Sequence, residues 1–405
     1  MTTVRNLGLI ALVAISVVVV FLAGFGARWL IDRGGTPVDT PSVTAANGDA
    51  AQPGDMHVFW EAWHILQRDF YGDQPDTQAR EHGAIDGLAR AYNDPYTRFI
   101  APEPREREKE QLSGEFGGIG AWINKDDAGN LRLDPMPDRP AEKAGIKKND
   151  ILIAVAGTPI APEITADDAV NMIRGPIGEP VELQVRREGA ADPLTFSVVR
   201  ERIETPSVEW RALDQNPQIG YVAIRQFTER TADELDRALK ELEQQNVQQL
   251  IVDLRHNSGG LLQSSIDVTS RFLNDGVVLF ERKNDGTEQT YRVVDAKRSP
   301  NWPIAVLVDG ATASASEILA GALQDRSRGQ LVGEKTYGKG SVQLVYDLSD
   351  GSSVHVTVAR WLTPNGHEIN GVGLVPDLVV AHDDNRDAPL DEAIRLLSAE
   401  PAVQK

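Results

Sequence analysis

The 405-residue sequence contains no cysteine. Disulfides and thiolate-ligated metal sites are therefore excluded, as is lipid attachment to an N-terminal cysteine. Basic residues are scarce: 41 Lys and Arg stand against 60 Asp and Glu, a net charge of −19. That balance argues against a nucleic-acid footprint. No His-Glu-x-x-His occurs, so a zinc peptidase of that kind would lack its ligands. The length allows two or three domains of about 150 residues.

What is present converges on Ile304 to Gln343. Ile304 to Val308 is a five-residue apolar run and predicts a strand buried on both faces. Asp309-Gly310 turns the chain. Thr312, Ser314 and Ser316 then lead into Glu317, Ile318, Leu319, Ala322 and Leu323, whose spacing fits a helix packed on a sheet. Ser314 therefore stands where a strand becomes a helix, beside unpaired N–H groups and the positive end of the helix dipole. An oxyanion formed there is stabilised. A further strand is expected at Gln330 to Gly333, followed by Lys339 between Gly338 and Gly340, and Gln343. A desolvated, neutral lysine serves as the base for a serine nucleophile. Taken alone, a serine-rich helix start is an N-cap. Gly333-x4-Gly338-Lys339 imitates a phosphate-binding loop. That loop needs Ser or Thr after the lysine and then a helix, whereas Gly340 and a strand-like run follow here. Ser314 is flanked by alanines, not set in the Gly-x-Ser-x-Gly elbow of a Ser-His-Asp hydrolase.

The segments Thr312-Ala313-Ser314-Ala315-Ser316-Glu317 and Gly333-Glu334-Lys335-Thr336-Tyr337-Gly338-Lys339-Gly340-Ser341-Val342-Gln343 resemble the active-site motifs of the C-terminal processing, or tail-specific, proteases. The resemblance implies Ser314 as nucleophile, Lys339 as base at the family's spacing of 25 residues, and Gln343 as the group that positions the lysine. Asp253-Leu254-Arg255-x-Asn257-x-Gly259-Gly260 also matches. It implies an oxyanion hole from the N–H groups of Ala315 and Gly260, with Gly259 the second choice. The equivalent of His256 is not catalytic in the family. The implied fold is a multidomain α/β protein: a ClpP/crotonase-like α/β protease core, an inserted PDZ domain of mixed α+β type, an N-terminal helical region and one transmembrane helix.

In chain order, Asn6 to Ala27 is 22 residues without a charge. As a helix it would span about 33 Å, enough for a hydrocarbon core of about 30 Å. We expect an uncleaved signal anchor in residues 1–33, followed by a flexible linker, 34–54, rich in Gly, Pro and Thr. A helical region is expected over 55–111. Its first helix, carrying Met56, Phe59, Trp63, Leu66 and Phe70, is capped by Asp55, and its second spans Thr77 to Tyr92. The charged stretch Pro102 to Glu110 predicts a solvated helix or linker.

Residues 112–200 resemble a PDZ domain, with a glycine-rich loop at Phe116 to Gly120, a short helix at Ala141 to Ile146, strands at Asp150 to Val155 and Val181 to Arg186, and a helix at Thr165 to Arg174. The resemblance implies that Gly118, Ile119 and Gly120 hold a peptide's C-terminal carboxylate while the peptide adds a strand to the sheet edge. Asn149 replaces a usual glycine and tolerates the left-handed turn. The protease core is expected over 201–384. Thr231-Ala232-Asp233-Glu234 there predicts a capping box, and the alternating strands and helices a parallel sheet. A C-terminal helix and tail occupy 385–405.

The expected activity is a serine endopeptidase with a Ser-Lys dyad, on the exported side of a membrane reached through residues 6–27. It acts on protein or peptide substrates with apolar C-termini and needs no metal or cofactor. A regulatory adaptor and homo-oligomerisation stay open. The alternative from another class is a catalytically inactive PDZ scaffold that binds protein C-termini at the membrane.

Overall fold

The computed structural model describes residues 56–294 and 299–399. The expected membrane segment, the linker and Asp55 lie outside them. Among the described residues no helix is long and apolar enough to cross a membrane. The chain divides into residues 1–75 and 76–405.

In the first unit, α1 (His57–Asp69) begins at Met56 without a side-chain cap. Phe59, Trp60 and Trp63 stack on one another, with ring centroids 5.1–6.1 Å apart. No residue of α1 is buried. The remaining elements of the expected region 55–111 fall in the second unit.

The second unit opens with α2 (Thr77–Arg90), capped by Asp76, which accepts the Ala79 N–H at 2.7 Å. β1 (Arg98–Ile100) and α3 (Pro102–Ser113) follow. The charged stretch expected to be solvated is tied down instead. Arg105 is buried and donates to Asp347 and Glu108, each at 2.8 Å. Glu108 lies 3.1 Å from His355.

A small domain comes next. Its strands and helices are β2 (Glu115–Gly118), β3 (Ala121–Lys125), β4 (Leu131–Pro135), α4 (Pro140–Lys143), β5 (Asp150–Val155), β6 (Thr158–Pro159), α5 (Ala166–Ile173), β7 (Pro180–Arg186), β8 (Leu194–Val199) and β9 (Glu201–Glu204). One sheet runs β3-β4-β5-β7-β8, with β6 on β5. Leu133, Leu183, Val185, Ala141 and Ala169 fill a core of its own. Thr165 and Asp168 form the capping box of α5. Asn149 has φ 71°, the left-handed turn that asparagine tolerates. β2 pairs with β9, so the chain enters and leaves the domain along one two-stranded ribbon, and Thr205 N–H donates to Gly114 at 2.9 Å. Lys125, at the end of β3, donates to the carbonyls of Pro162 (3.0 Å) and Ile164 (3.2 Å), just before α5.

The larger domain contains β10 (Val208–Leu213), β11 (Asn216–Ile224), α6 (Thr231–Gln244), β12 (Gln249–Asp253), α7 (Leu262–Phe272), β13 (Val277–Lys283), β14 (Glu288–Arg292), β15 (Ile304–Val308), α8 (Ala315–Asp325), β16 (Gln330–Gly333), β17 (Ser341–Asp347), β18 (Ser353–Leu362), β19 (Leu378–Val379) and α9 (Ala388–Ala399). A six-stranded sheet runs β10-β11-β12-β15-β16-β19 and is parallel from β11 onward. Every residue of β12 and β15 is buried: β15 is apolar throughout, and in β12 Leu250 to Val252 are apolar between the buried polar Gln249 and Asp253. Val252 and Val306 face a core with Leu235, Leu239 and Leu319 of the helices. Ile251, Ala305 and Leu307 face the other way, onto Ala393 and Leu397 of α9. The C-terminal helix therefore packs on its own core. A second sheet, β1-β18-β13-β14 with β17 on β18, lies beside α3.

The expected capping box at Thr231 is corrected. Arg230 occupies the cap position without a side-chain bond. Thr231 is buried and donates to Gln226 O at 3.0 Å, while Glu234 accepts Ser207 N–H and O–H at 2.7 and 2.8 Å. The two side chains that fit a local cap serve tertiary contacts.

Candidate active site

In an open α/β sheet, the loops after the C-terminal strand ends are where ligands bind. Three such loops meet here: 254–261 after β12, 309–314 after β15, and 334–340 after β16. They carry Gly260, Ser314 and Lys339. These residues and Ala315 line one cleft of 450 Å³, with Gln343 and the apolar side chains of Leu261, Ile318, Val342 and Trp361. Gly118, Ile119 and Gly120 do not line this cleft.

The small-residue run sorts its hydroxyls by use. Thr312 is fully buried and donates to Leu254 O at 2.9 Å. Ser316 is fully buried and donates to Asn257 O at 2.9 Å. Both tie the β15 loop to the β12 loop. The Ser314 hydroxyl donates no hydrogen bond among the described residues, and the residue lines the cleft as the N-cap of α8. Ser314 has φ 56° and ψ −118°, a conformation costing a non-glycine residue about 1–3 kcal/mol. Such strain persists only where the surroundings enforce it, and here the bonds just named do so.

Glu317 joins the two motifs. Its side chain is fully buried. One carboxylate oxygen accepts the Ser314 and Lys339 N–H groups, each at 2.9 Å. The other accepts the Gly338 N–H at 2.8 Å and the Thr336 hydroxyl at 2.5 Å. Burial pushes this carboxyl up from its ordinary value, against those four donors. The sequence reading assigned Glu317 no role. Its position three residues after Ser314, where a helix-capping acid reaches back, was the available signal.

Lys339 is desolvated, which lowers its pKa, and nearby Arg98 lowers it further against Glu108 and Asp94. Its Nζ lies 4.9 Å from the ring centroid of Tyr96, and no hydrogen bond joins it to Ser314 or Gln343. The flanking glycines are required: a Cβ on Gly340 would stand 2.5 Å from Asn370 N, and one on Gly338 2.8 Å from Gly373 N. Gln343 donates to Ser341 Oγ at 2.7 Å and Thr357 Oγ1 at 3.3 Å, so it shares the cleft but bonds its amide to these hydroxyls and not to the lysine.

The oxyanion assignment needs one correction. Gly259 N–H already donates to Asn257 Oδ1 at 2.9 Å. Gly260 N–H and Ala315 N–H have no acceptor among the described residues. A Cβ on Gly260 would lie 2.1 Å from Phe227 O, which explains the glycine sterically. His256 is exposed and pairs with Asp309 at 3.0 Å.

The profile of peptidase family S41 matches residues 218–380, and a PDZ profile matches residues 133–187. A carboxyl-terminal-processing protease of Synechocystis sp. is 34% identical over 322 residues, covering 78% of this chain and 75% of its own. The carboxy-terminal processing protease CtpB of Bacillus subtilis is 32% identical over 355 residues, covering 86% of this chain and 73% of its own. Among solved structures, a photosystem II D1 C-terminal processing protease aligns over 85% of this chain and 92% of its own. It is 30% identical, with a TM-score of 0.47.

Proposed function

The chain belongs to peptidase family S41 as a carboxyl-terminal processing serine protease with a PDZ domain, and from that premise we propose how its residues divide the work. Neutral Lys339 takes the proton of Ser314 Oγ, which attacks the substrate carbonyl. Ala315 N–H and Gly260 N–H hold the oxyanion, and Lys339 returns the proton to the departing amine. Water, deprotonated by the same lysine, then frees the acyl group from Ser314. Gln343 meets the lysine when Lys339 leaves Tyr96 and swings toward Ser314.

The observation that carries this reading is the cleft itself. The one hydroxyl of its motif that donates to no backbone carbonyl and the desolvated lysine line the same cleft, and one buried carboxylate binds both backbones. The inactive-scaffold alternative has no support.

Gly118, Ile119 and Gly120 bind apolar C-terminal tails, with the tail added to the unpaired edge of β3 beside α5. Residues 6–27 anchor the protein in the membrane with the protease on the exported side, a reading supported by their uncharged run.

The test is hydrolysis of an unfolded protein with an apolar tail by the full chain, beside Ser314→Ala and Lys339→Ala. Each variant loses at least about a thousandfold in kcat if the pair acts as nucleophile and base. A Lys339→Ala protein that cleaves at the parent rate sinks the dyad.

A further inference from the structure

The loop that carries Lys339 has its main chain fastened on both sides of the lysine. Gly338 and Lys339 donate their N–H groups to Glu317, at 2.8 and 2.9 Å. Gly338 O accepts the Gly371 N–H at 2.8 Å, and Gly340 O accepts the Trp361 N–H at 2.9 Å. The remaining carbonyl of the three is that of Lys339 itself. It lies ahead of β17, whose register with β18 begins at Ser341 opposite Arg360, so the strand ladder does not reach it. A side chain does: the Trp361 indole Nε1–H donates to Lys339 O at 3.1 Å.

Trp361 is well placed to hold something still. It stands near the end of β18, a strand paired with β17 on one side and with β13 on the other, where Trp361 lies opposite Glu281. It is buried in the core of the larger domain and lines the catalytic cleft with Ser314 and Lys339. A buried indole N–H takes an acceptor somewhere, and in an ordinary core tryptophan any carbonyl serves. Here the acceptor is the carbonyl of the base, and the main-chain N–H of the same tryptophan takes the next carbonyl along. Glu317 fixes the peptide unit before the lysine Cα, and Trp361 fixes the one after it.

We propose that Trp361 is a positioning residue for Lys339: its indole N–H fixes the peptide that follows the lysine, so that the side chain pivots on a stationary Cα between Tyr96 and Ser314. It rests on the reading of Lys339 as the base. Proton transfer requires the lysine nitrogen within hydrogen-bond reach of the serine hydroxyl, and a displacement of about 1 Å can cost about a hundredfold in rate. Trp361 carries no proton in this scheme and acts through the lysine alone.

The experiment separates the N–H from the ring. In the full chain, position 361 alone receives benzothienylalanine, which keeps the shape of tryptophan and has sulfur in place of the N–H. Trp361→Phe and Lys339→Ala are assayed beside it, each after a melting-temperature check of folding. The substrate is an unfolded protein with an apolar tail, and kcat and KM are measured across the pH range of the lysine limb. Without the N–H the lysine loosens and regains water, which moves its titration back up toward the ordinary 10.5. We expect kcat at neutral pH to fall about tenfold, KM to stay within about twofold, and the limb of kcat/KM to move to higher pH. Trp361→Phe shows the same movement of the limb with a lower melting temperature. Arg98, Glu108 and Asp94, which act on the lysine, and Tyr96 and His355, which line the cleft, are the same in every protein compared, so a moved limb reports the setting of the lysine. An isostere that matches the parent in kcat and in limb overturns the role of Trp361 and leaves Lys339 as the base. A loss of kcat equal at every pH, with the limb in place, assigns the bond to packing and overturns it as well. A rise in KM alone makes the ring a substrate contact and overturns the positioning role. A Lys339→Ala protein that cleaves at the parent rate overturns both readings.

Discussion

Glu317 sets the terms at the scale of single residues, because its removal strands several donors at once. Glu317→Ala leaves three N–H groups and a hydroxyl without their acceptor, each a buried loss of about 1–3 kcal/mol before relaxation. We expect a lower melting temperature and at least about a hundredfold loss of kcat, with Glu317→Gln intermediate because its amide oxygen still accepts. Wild-type kcat in a folded Glu317→Ala protein would show that the carboxylate does not hold the site. Lys339 sets the pH dependence. Its pKa lies below the ordinary 10.5, so the neutral base accumulates and kcat/KM rises with pH along a limb below that value. Glu108 raises the pKa of Lys339, so Glu108→Gln moves the limb to lower pH. A limb that stays in place removes Glu108 from the field at the lysine. Ser314 and Lys339 were legible because two motifs at fixed separation carry them. The choice between Gly259 and Gly260 was not, since it turns on an Asx turn from Asn257 to Gly259 whose closure is fixed by the bond of the same amide to Ile224 O of a distant strand. The orientation of Gln343 depends likewise on Thr357 of a neighbouring strand.

Elements with unbroken apolar runs were readable to the residue. β15 has its expected bounds, because burial on both faces leaves no competing period, and the shorter β16 keeps its bounds as well, from exposed Gln330 to buried Gly333. α3 was misjudged because its charges, which mark a solvated helix in isolation, find partners on β17 and β18. Burial alone would raise Glu108, but His355 and Arg105 outweigh it and its pKa falls below the ordinary value. A depressed carboxylate contributes stability above its unfolded pKa, about 4.3, and loses it as pH falls through the folded value. Parent and Glu108→Gln melting temperatures should therefore converge as pH drops from 6 toward 3.5. A gap that stays constant with pH would assign the helix anchoring to packing rather than to this charge.

For the molecule as a whole, the small domain hangs from the rest by the β2–β9 ribbon. Its excision point is set by that pairing, not by the expected boundaries at 112 and 200, which would leave β9 without β2. Joining Gly114 directly to Thr205, already hydrogen bonded, should give a folded protease that cleaves amidated and free-acid substrates at equal rates. Calorimetry checks the fold and paired substrates the rates; a retained preference for free tails would place tail recognition elsewhere. The division at Pro75 was not visible in sequence, where α1 and α2 carry the same kind of amphipathic signal and, among the described residues, only α2 buries a side chain.

Lys125, at the end of β3 away from the glycine loop, is bonded across to the carbonyls ahead of α5. From Ala121 to Lys125 an added strand has room for about five residues, some 17 Å. On the proposed seating of the carboxylate at Gly118 to Gly120, the domain would work as a ruler with a stop at each end. Such a ruler would measure the last few residues of a polypeptide and be blind to what precedes them, so one short ending grafted onto unrelated proteins should serve as a common address.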